Sequence, residues 1–71
     1  MTPNIMRQLW SIVETTQTKM LLQMDDASLV QWLEKQTQIQ VSLDNSDADF
    51  LRDYIRSRLP LIRELAYERM G

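Results

Sequence analysis

The chain of 71 residues is 44% hydrophobic and carries a formal net charge of −2, with no cysteine and no histidine. This length allows one small domain, which lacks disulfides and the usual ligands of zinc and transition-metal sites. The acidic balance disfavours a nucleic-acid backbone as the main partner, and a chain with one glycine, at its last position, has no glycine-rich phosphate loop.

The N-terminal stretch MTPNIMRQLW has no basic region followed by an apolar run, so it does not resemble a signal peptide. No stretch approaches the roughly 18 apolar residues of a membrane span. We therefore expect a cytoplasmic protein without a membrane partner.

The first predicted helix extends from about residue 3 to about residue 22. Thr2 is a suitable N-cap, and Pro3 occupies the first helical position, where a missing N–H has no consequence. One arc of the helical wheel is apolar, which predicts an amphipathic helix. The members of this arc are Ile5, Met6, Leu9, Trp10, Ile12, Val13 and Met20. The segment ETTQT lowers helix propensity, so this helix depends on packing.

The second predicted helix extends from about residue 26 to about residue 38. Asp25 or Asp26 can cap it, and a negative charge suits the positive end of a helix. Leu29, Trp32, Leu33 and Gln36 share one side of this helix, with Val30 at the border of that side.

The segment IQVSL, residues 39–43, departs from the helical pattern because apolar and polar residues alternate. We favour an extended connector over residues 39–45, whose apolar side chains close the open end of a helical bundle. Two alternatives stay open. The second helix can continue to about Val41, or the segment can form a strand that pairs with the same strand of a second chain.

The third predicted helix extends from about residue 46 to residue 70. Ser46 and Asp49 resemble a capping box, with Asp in place of the usual Glu or Gln. Pro60 lies inside this helix, where it removes one hydrogen bond and crowds the preceding turn. We favour a continuous helix that is kinked at Pro60; the alternative is a break at Arg58–Leu59 that leaves a fourth short helix.

No group of residues predicts catalysis or metal binding. Without histidine, cysteine or a glycine-flanked serine, the chain offers no activated nucleophile and no general base near neutral pH. The segment DNSDA differs from a calcium loop, because Asp49 stands where such a loop needs glycine. We therefore predict a protein that is not an enzyme and has no catalytic residue, cofactor or metal.

Arg52, Arg56 and Arg63 project within about 40° of one another on the third helix and form a basic ridge. Such a ridge can meet an acidic partner or phosphates. We favour a solvated face, because acidic residues lie beside the ridge. These neighbours are Asp49, Asp53 and Glu64.

Arg58 falls inside the apolar arc of the third helix, so it must extend to solvent, pair with a carboxylate or lie at an interface. Trp10 and Trp32 lie at the borders of their apolar faces. We favour core positions for both, with each indole N–H bonded at the rim; the alternative is a binding surface.

The apolar arcs of the first and third helices each span about half the circumference. The stripe at the centre of the third helix's arc consists of Leu51, Ile55, Leu59, Ile62 and Ala66. The residues that widen this stripe are Phe50, Tyr54, Leu61 and Leu65. A three-helix domain covers only about a third of each helix, and a symmetric homodimer would cover the excess.

Three blocks, RQLWSIVETTQ, DDASLVQWL and YIRSRLPLIRELA, resemble the small, uncharacterised all-helical proteins of cyanobacterial genomes. The blocks cover most of the chain, and none of them is a catalytic or ligand motif. The resemblance implies a cytosolic helical protein of a photosynthetic bacterium, and it brings no activity and no site residue.

The sequence thus predicts an all-α protein of three helices, the third long and kinked, that forms a homodimer. We expect a non-enzymatic protein-interaction or regulatory adaptor that contacts itself and another protein. Its predicted contact residues are Trp32, Arg52, Arg56, Arg58 and Arg63. The alternatives are a nucleic-acid-binding regulator that uses the arginine ridge and a purely structural homo-oligomer.

Overall fold

A computed structural model describes residues 3–70, which form four α-helices and, within that range, no strand. The helices are α1 (Pro3–Thr15), α2 (Thr18–Gln23), α3 (Asp26–Gln40) and α4 (Asn45–Met70). The prediction of an all-α protein is confirmed, whereas the prediction of three helices is wrong. Thr2, the predicted cap of the first helix, lies outside the described residues.

The predicted first helix is interrupted after Thr15, so its predicted end at residue 22 is wrong. The Thr15 hydroxyl donates to the carbonyl oxygens of Ser11 and Ile12, and the Thr16 hydroxyl donates to that of Ile12 at 2.6 Å. Threonine hydroxyls that bond the preceding turn compete with the helical backbone pattern. Gln17 then adopts an extended conformation, with φ −61° and ψ 135°.

Arg69 of α4 forms hydrogen bonds with the C-terminal end of α1. Its guanidinium donates to the carbonyl oxygens of Val13 at 3.1 Å and Thr16 at 3.2 Å. The last carbonyls of a helix lack partners within the helix, so a cation placed there satisfies them. This contact spans more than fifty positions of the sequence, which is why the local pattern did not reveal it.

The prediction that Asp25 or Asp26 caps the second predicted helix is confirmed for Asp25, whose side chain accepts a hydrogen bond from the Ser28 backbone N–H at 2.9 Å, whereas Asp26 is the first residue of the helix. Hydrogen bonds from Ser28 lower the pKa of Asp25 because they favour its charged form. The side-chain hydrogen bond of Ser28 has the largest effect, and the backbone hydrogen bond follows.

The second predicted helix, α3, continues to Gln40, so the extended connector over residues 39–45 is wrong at its start. The Val41 backbone N–H still bonds the Thr37 carbonyl oxygen at 2.9 Å, as the alternative of a longer helix expected. A strand over residues 39–43 is wrong for its first two residues, which are helical. Val41 and Leu43 pack against the core, whereas Ile39 is 68% exposed.

α4 begins one residue earlier than predicted, and its cap is Asp44 rather than Ser46. The Asp44 carboxylate accepts a hydrogen bond from the Asp47 backbone N–H at 2.7 Å. Ser46 lies within the helix. Asp44 is the N-cap because its carboxylate reaches the backbone N–H three residues further along the chain. Its negative charge is also favourable at the positive N-terminal end of a helix.

α4 is continuous through Pro60, so the alternative of a break at Arg58–Leu59 is wrong. The kink at Pro60 stays a prediction.

The core is assembled from one stripe of each helix: α1 packs on α3, while α3 and α2 both pack on α4. Its buried members are Ile5, Leu9, Val13, Leu21, Leu29, Val30, Leu33, Leu51, Ile55, Leu59, Ile62 and Ala66. Within residues 3–70, no helix combines the length and the apolar character required to cross a membrane.

Candidate functional site

The three arginines of the ridge line an open groove between α3 and α4, here called the α3–α4 groove, with a volume of about 1070 Å³. Val30 and Leu59, 3% and 5% exposed, form an apolar floor. The arginines lie four and seven residues apart, so they follow one flank of α4 over about 16 Å. The sequence pattern grouped these residues, and the structure adds the apolar floor between them.

Glu34 and Arg52 form the ion pair at one end of the groove. Arg52 donates from Nε to Glu34 Oε2 and from Nη2 to Oε1, both at 3.0 Å. The Glu34 side chain is only 10% exposed, so this two-point bond satisfies a carboxylate that has little access to water. The same hydrogen bonds raise the pKa of Arg52 above its ordinary value.

Arg63 forms the second ion pair, toward the other end of the groove. Its Nη2 donates to Asp26 Oδ1 at 2.6 Å and to the Met24 carbonyl oxygen at 3.2 Å. Arg63 therefore joins α4 to the turn that precedes α3.

Arg56 lies between these two pairs and is exposed. Within residues 3–70, no hydrogen bond or ion pair of its guanidinium is found. The ridge therefore differs from one residue to the next: its two outer members hold carboxylates of the chain, and its middle member leaves a full positive charge at the surface.

Arg58 lies about 160° round α4 from Arg56, on the opposite flank of the helix. It is exposed, and its guanidinium carbon is 5.1 Å from the centre of the Tyr54 ring. Tyr54 in turn contacts α1, because Trp10 Nε1 donates to its hydroxyl at 3.0 Å and the two rings meet edge to face. Within the chain, Arg58 extends to solvent over an aromatic ring and has no carboxylate partner among residues 3–70; a position at an interface stays a prediction.

The surface of α4 that faces away from the core, here called the outer face, carries Phe50 and Leu61. They are 61% and 42% exposed and lie three turns apart. Tyr54 and Leu65 are half-buried at the edge of the same face. The four residues that widen the apolar arc in the sequence are thus covered only in part by the chain itself.

Trp32 is half-buried and packs against the core. It lies about 160° round α3 from Glu34, so it faces away from the groove. The five predicted contact residues therefore do not form one surface: three line the groove, whereas Arg58 and Trp32 lie outside it.

The carboxylates that complete the groove, Glu34 and Asp26, were not among the predicted site residues. Glu34 follows Val30 by four positions, so it lies beside the apolar stripe of α3. A carboxylate at such a position loses access to water and favours pairing with a cation, and this signal could have identified Glu34. In the part of the chain that the structure covers, no three His, Cys, Asp or Glu side chains cluster as they would around a metal ion.

Comparisons with protein-family models, curated proteins and solved structures gave no match to this chain. The resemblance to cyanobacterial helical proteins therefore stays a prediction.

Proposed function

We propose that this protein is a small interaction or regulatory adaptor of the cytoplasm, without chemistry of its own, that forms a homodimer through the outer face of α4. The observation that carries the proposal is the exposure of Phe50 and Leu61, 61% and 42%, on one face of a continuous helix. Large apolar side chains at helical spacing on a solvent-facing side are typical of a contact between helices.

A symmetric dimer uses the same face twice, so each exposed side chain is covered in both copies. Covering the remaining exposed area contributes on the order of 1 kcal/mol for each Phe50 and Leu61. Association itself costs several kcal/mol, so Tyr54 and Leu65 must add to the contact. This balance favours a dimer that dissociates on dilution rather than an obligate one.

Arg58 borders the outer face through its contact with Tyr54. A guanidinium that is exposed and held over a ring is suited to a carboxylate or a backbone carbonyl of a partner. This supports Arg58 as a contact residue of the adaptor. Trp32, which packs against the core on another helix, has less support.

The proposal is tested by sedimentation velocity over a dilution series that spans the micromolar range. We expect the wild-type protein to approach twice its monomer mass of 8.4 kDa and to dissociate on dilution. Phe50→Ser and Leu61→Ser remove apolar contact area, so each should shift the transition to at least tenfold higher concentration.

Ile39→Ser is the matched control, because Ile39 is 68% exposed but lies on α3. It should dissociate at the same concentration as the wild-type protein. A wild-type monomer at every concentration, or an equal effect of the Ile39 change, would contradict a dimer through this face.

The nucleic-acid alternative has less support than the adaptor, because two arginines of the ridge already contact carboxylates of the chain. The structural homo-oligomer remains the second alternative. It predicts that the outer face binds only another copy of this chain.

A further inference from the structure

The α3–α4 groove combines three features. Its floor is apolar, at Val30 and Leu59. Both ends are fixed by ion pairs, and the guanidinium at its middle, that of Arg56, has no partner within residues 3–70.

The two ion pairs hold the walls of the groove together. Arg52 reaches Glu34 in the middle of α3, and Arg63 reaches Asp26 at the start of α3. The Arg52–Glu34 pair, whose carboxylate is 10% exposed, joins the two helices more firmly than the Arg63–Asp26 pair, whose carboxylate is 78% exposed. A ligand would enter a site whose shape is formed in advance, which lowers the entropy that binding must overcome.

The charges of the groove favour an anion. Three guanidinium groups and two carboxylates line the groove, and both carboxylates are already bonded to arginine. The exposed Asp49 also pairs with Arg52, at 3.7 Å, so Arg56 is the arginine of the groove that has no carboxylate partner within residues 3–70. We propose that the groove binds an acidic amphipathic segment of a partner protein, with a carboxylate of the segment on Arg56 and apolar side chains over Val30 and Leu59.

A protein segment fits these features better than a nucleic acid. A phosphate backbone would meet one free cation, two carboxylates and a chain of net charge −2, and its phosphates would gain nothing from an apolar floor. An acidic amphipathic helix offers carboxylates and apolar side chains on one side, and three of its turns match the arginine row of about 16 Å.

This inference rests on the part of the proposed function that gives the protein a second partner, but it uses another flank of α4 than the homodimer. Groove binding and the homodimer can therefore be disproved independently of each other. Loss of groove binding leaves the dilution series of the outer face unchanged, and a monomeric protein can still bind a segment in the groove.

The probe is a displayed library of random 12-residue peptides, selected on the wild-type protein and measured afterwards as single labelled peptides by fluorescence anisotropy. We expect selected peptides that combine Asp or Glu with apolar residues at helical spacing. Arg56→Gln should weaken binding of the best peptide by about tenfold or more, because it removes the groove's arginine that has no partner within residues 3–70. Since Arg56 is exposed, this change leaves the fold intact.

Arg7→Gln is the control of equal charge change, because Arg7 is exposed on α1. It should leave the affinity within about twofold.

Ala27→Glu is a second test, on the α3 wall of the groove opposite Arg56. Ala27 is exposed in the groove, and a carboxylate is favoured in the first turn of α3. This change should abolish binding of acidic peptides without loss of helicity.

The same measurements are made with a labelled single-stranded DNA of 12 nucleotides. The inference is overturned if no acidic peptide is enriched, if Arg7→Gln weakens binding as much as Arg56→Gln, or if only the DNA binds and depends on Arg56. Salt dependence separates the last case, because release of counterions from DNA gives a steep loss of affinity with salt.

Discussion

The two sides of α4 carry similar apolar residues with opposite surroundings. On the inner side, Leu51 and Ile55 are 0% exposed within the core, whereas Phe50 and Leu61 on the outer face are 61% and 42% exposed. Both sides follow the same helical period. An apolar arc that spans half a helix therefore has two parts. One part is buried and stabilises the monomer, and the other part stays exposed and is available for contact with another surface.

The strongest test of this difference exchanges one large side chain for alanine on each side. Ile55→Ala should lower the free energy of unfolding by about 2–5 kcal/mol, because it leaves a cavity in the core. Leu61→Ala should change it by about 1 kcal/mol or less. The measurement is urea unfolding followed by circular dichroism, at a concentration below that of self-association. Equal losses from both changes would mean that the outer face belongs to the core.

Pro60→Ala tests whether the inner side of α4 needs a bend. Proline inside a helix lacks one hydrogen bond and is about 3 kcal/mol less favourable than alanine. We therefore expect Pro60→Ala to keep or raise the melting temperature. A large loss of stability would show instead that the packing of the inner side requires a bend at this position. Pro3→Ala, at the start of α1, is a control without an expected effect on α4.

The smallest effect is expected from Asp25, which lies outside both sides of α4 and provides a reference. The pKa of Asp25 is lower in the folded state than in the unfolded state. Its contribution to the stability of the fold is therefore present at a pH above the ordinary pKa of Asp and is lost as the pH falls through the folded-state pKa. Stability should therefore fall on acidification below about pH 4. Asp25→Asn keeps a capping side chain and should flatten this part of the profile, measured by thermal unfolding between pH 5 and pH 2. An unchanged profile would contradict the role of the carboxylate.

Much of the local structure could be predicted because its causes are local. Asp25 caps α3 through an N–H three residues away, and the helical period identified the buried residues of α4. The spacing of Arg52, Arg56 and Arg63 placed them on one flank of a helix, and all three line one groove.

The errors occurred where a distant residue or a competing hydrogen bond decides. The interruption after Thr15 depends on threonine hydroxyls that bond the helix backbone and on Arg69, which reaches back from α4. The alternation of residues 39–43 suggested an extended segment, yet α3 continues to Gln40. Alternating polarity over five residues is typical of a strand, but the hydrogen bond from the Val41 N–H to the Thr37 carbonyl oxygen shows that the preceding helix extends into this segment.

The all-α class, the amphipathic character of the helices and the arginine row could be predicted from the sequence, because they follow from side-chain spacing along one helix. Which apolar residues are covered and which arginines are paired could be seen only in the folded chain. The apolar excess on Phe50 and Leu61, the ion pairs to Glu34 and Asp26 and the unpaired guanidinium of Arg56 depend on how α3 and α4 pack. The physical reason is that burial and charge pairing are properties of two surfaces in contact, and a pattern along one helix describes only one of them.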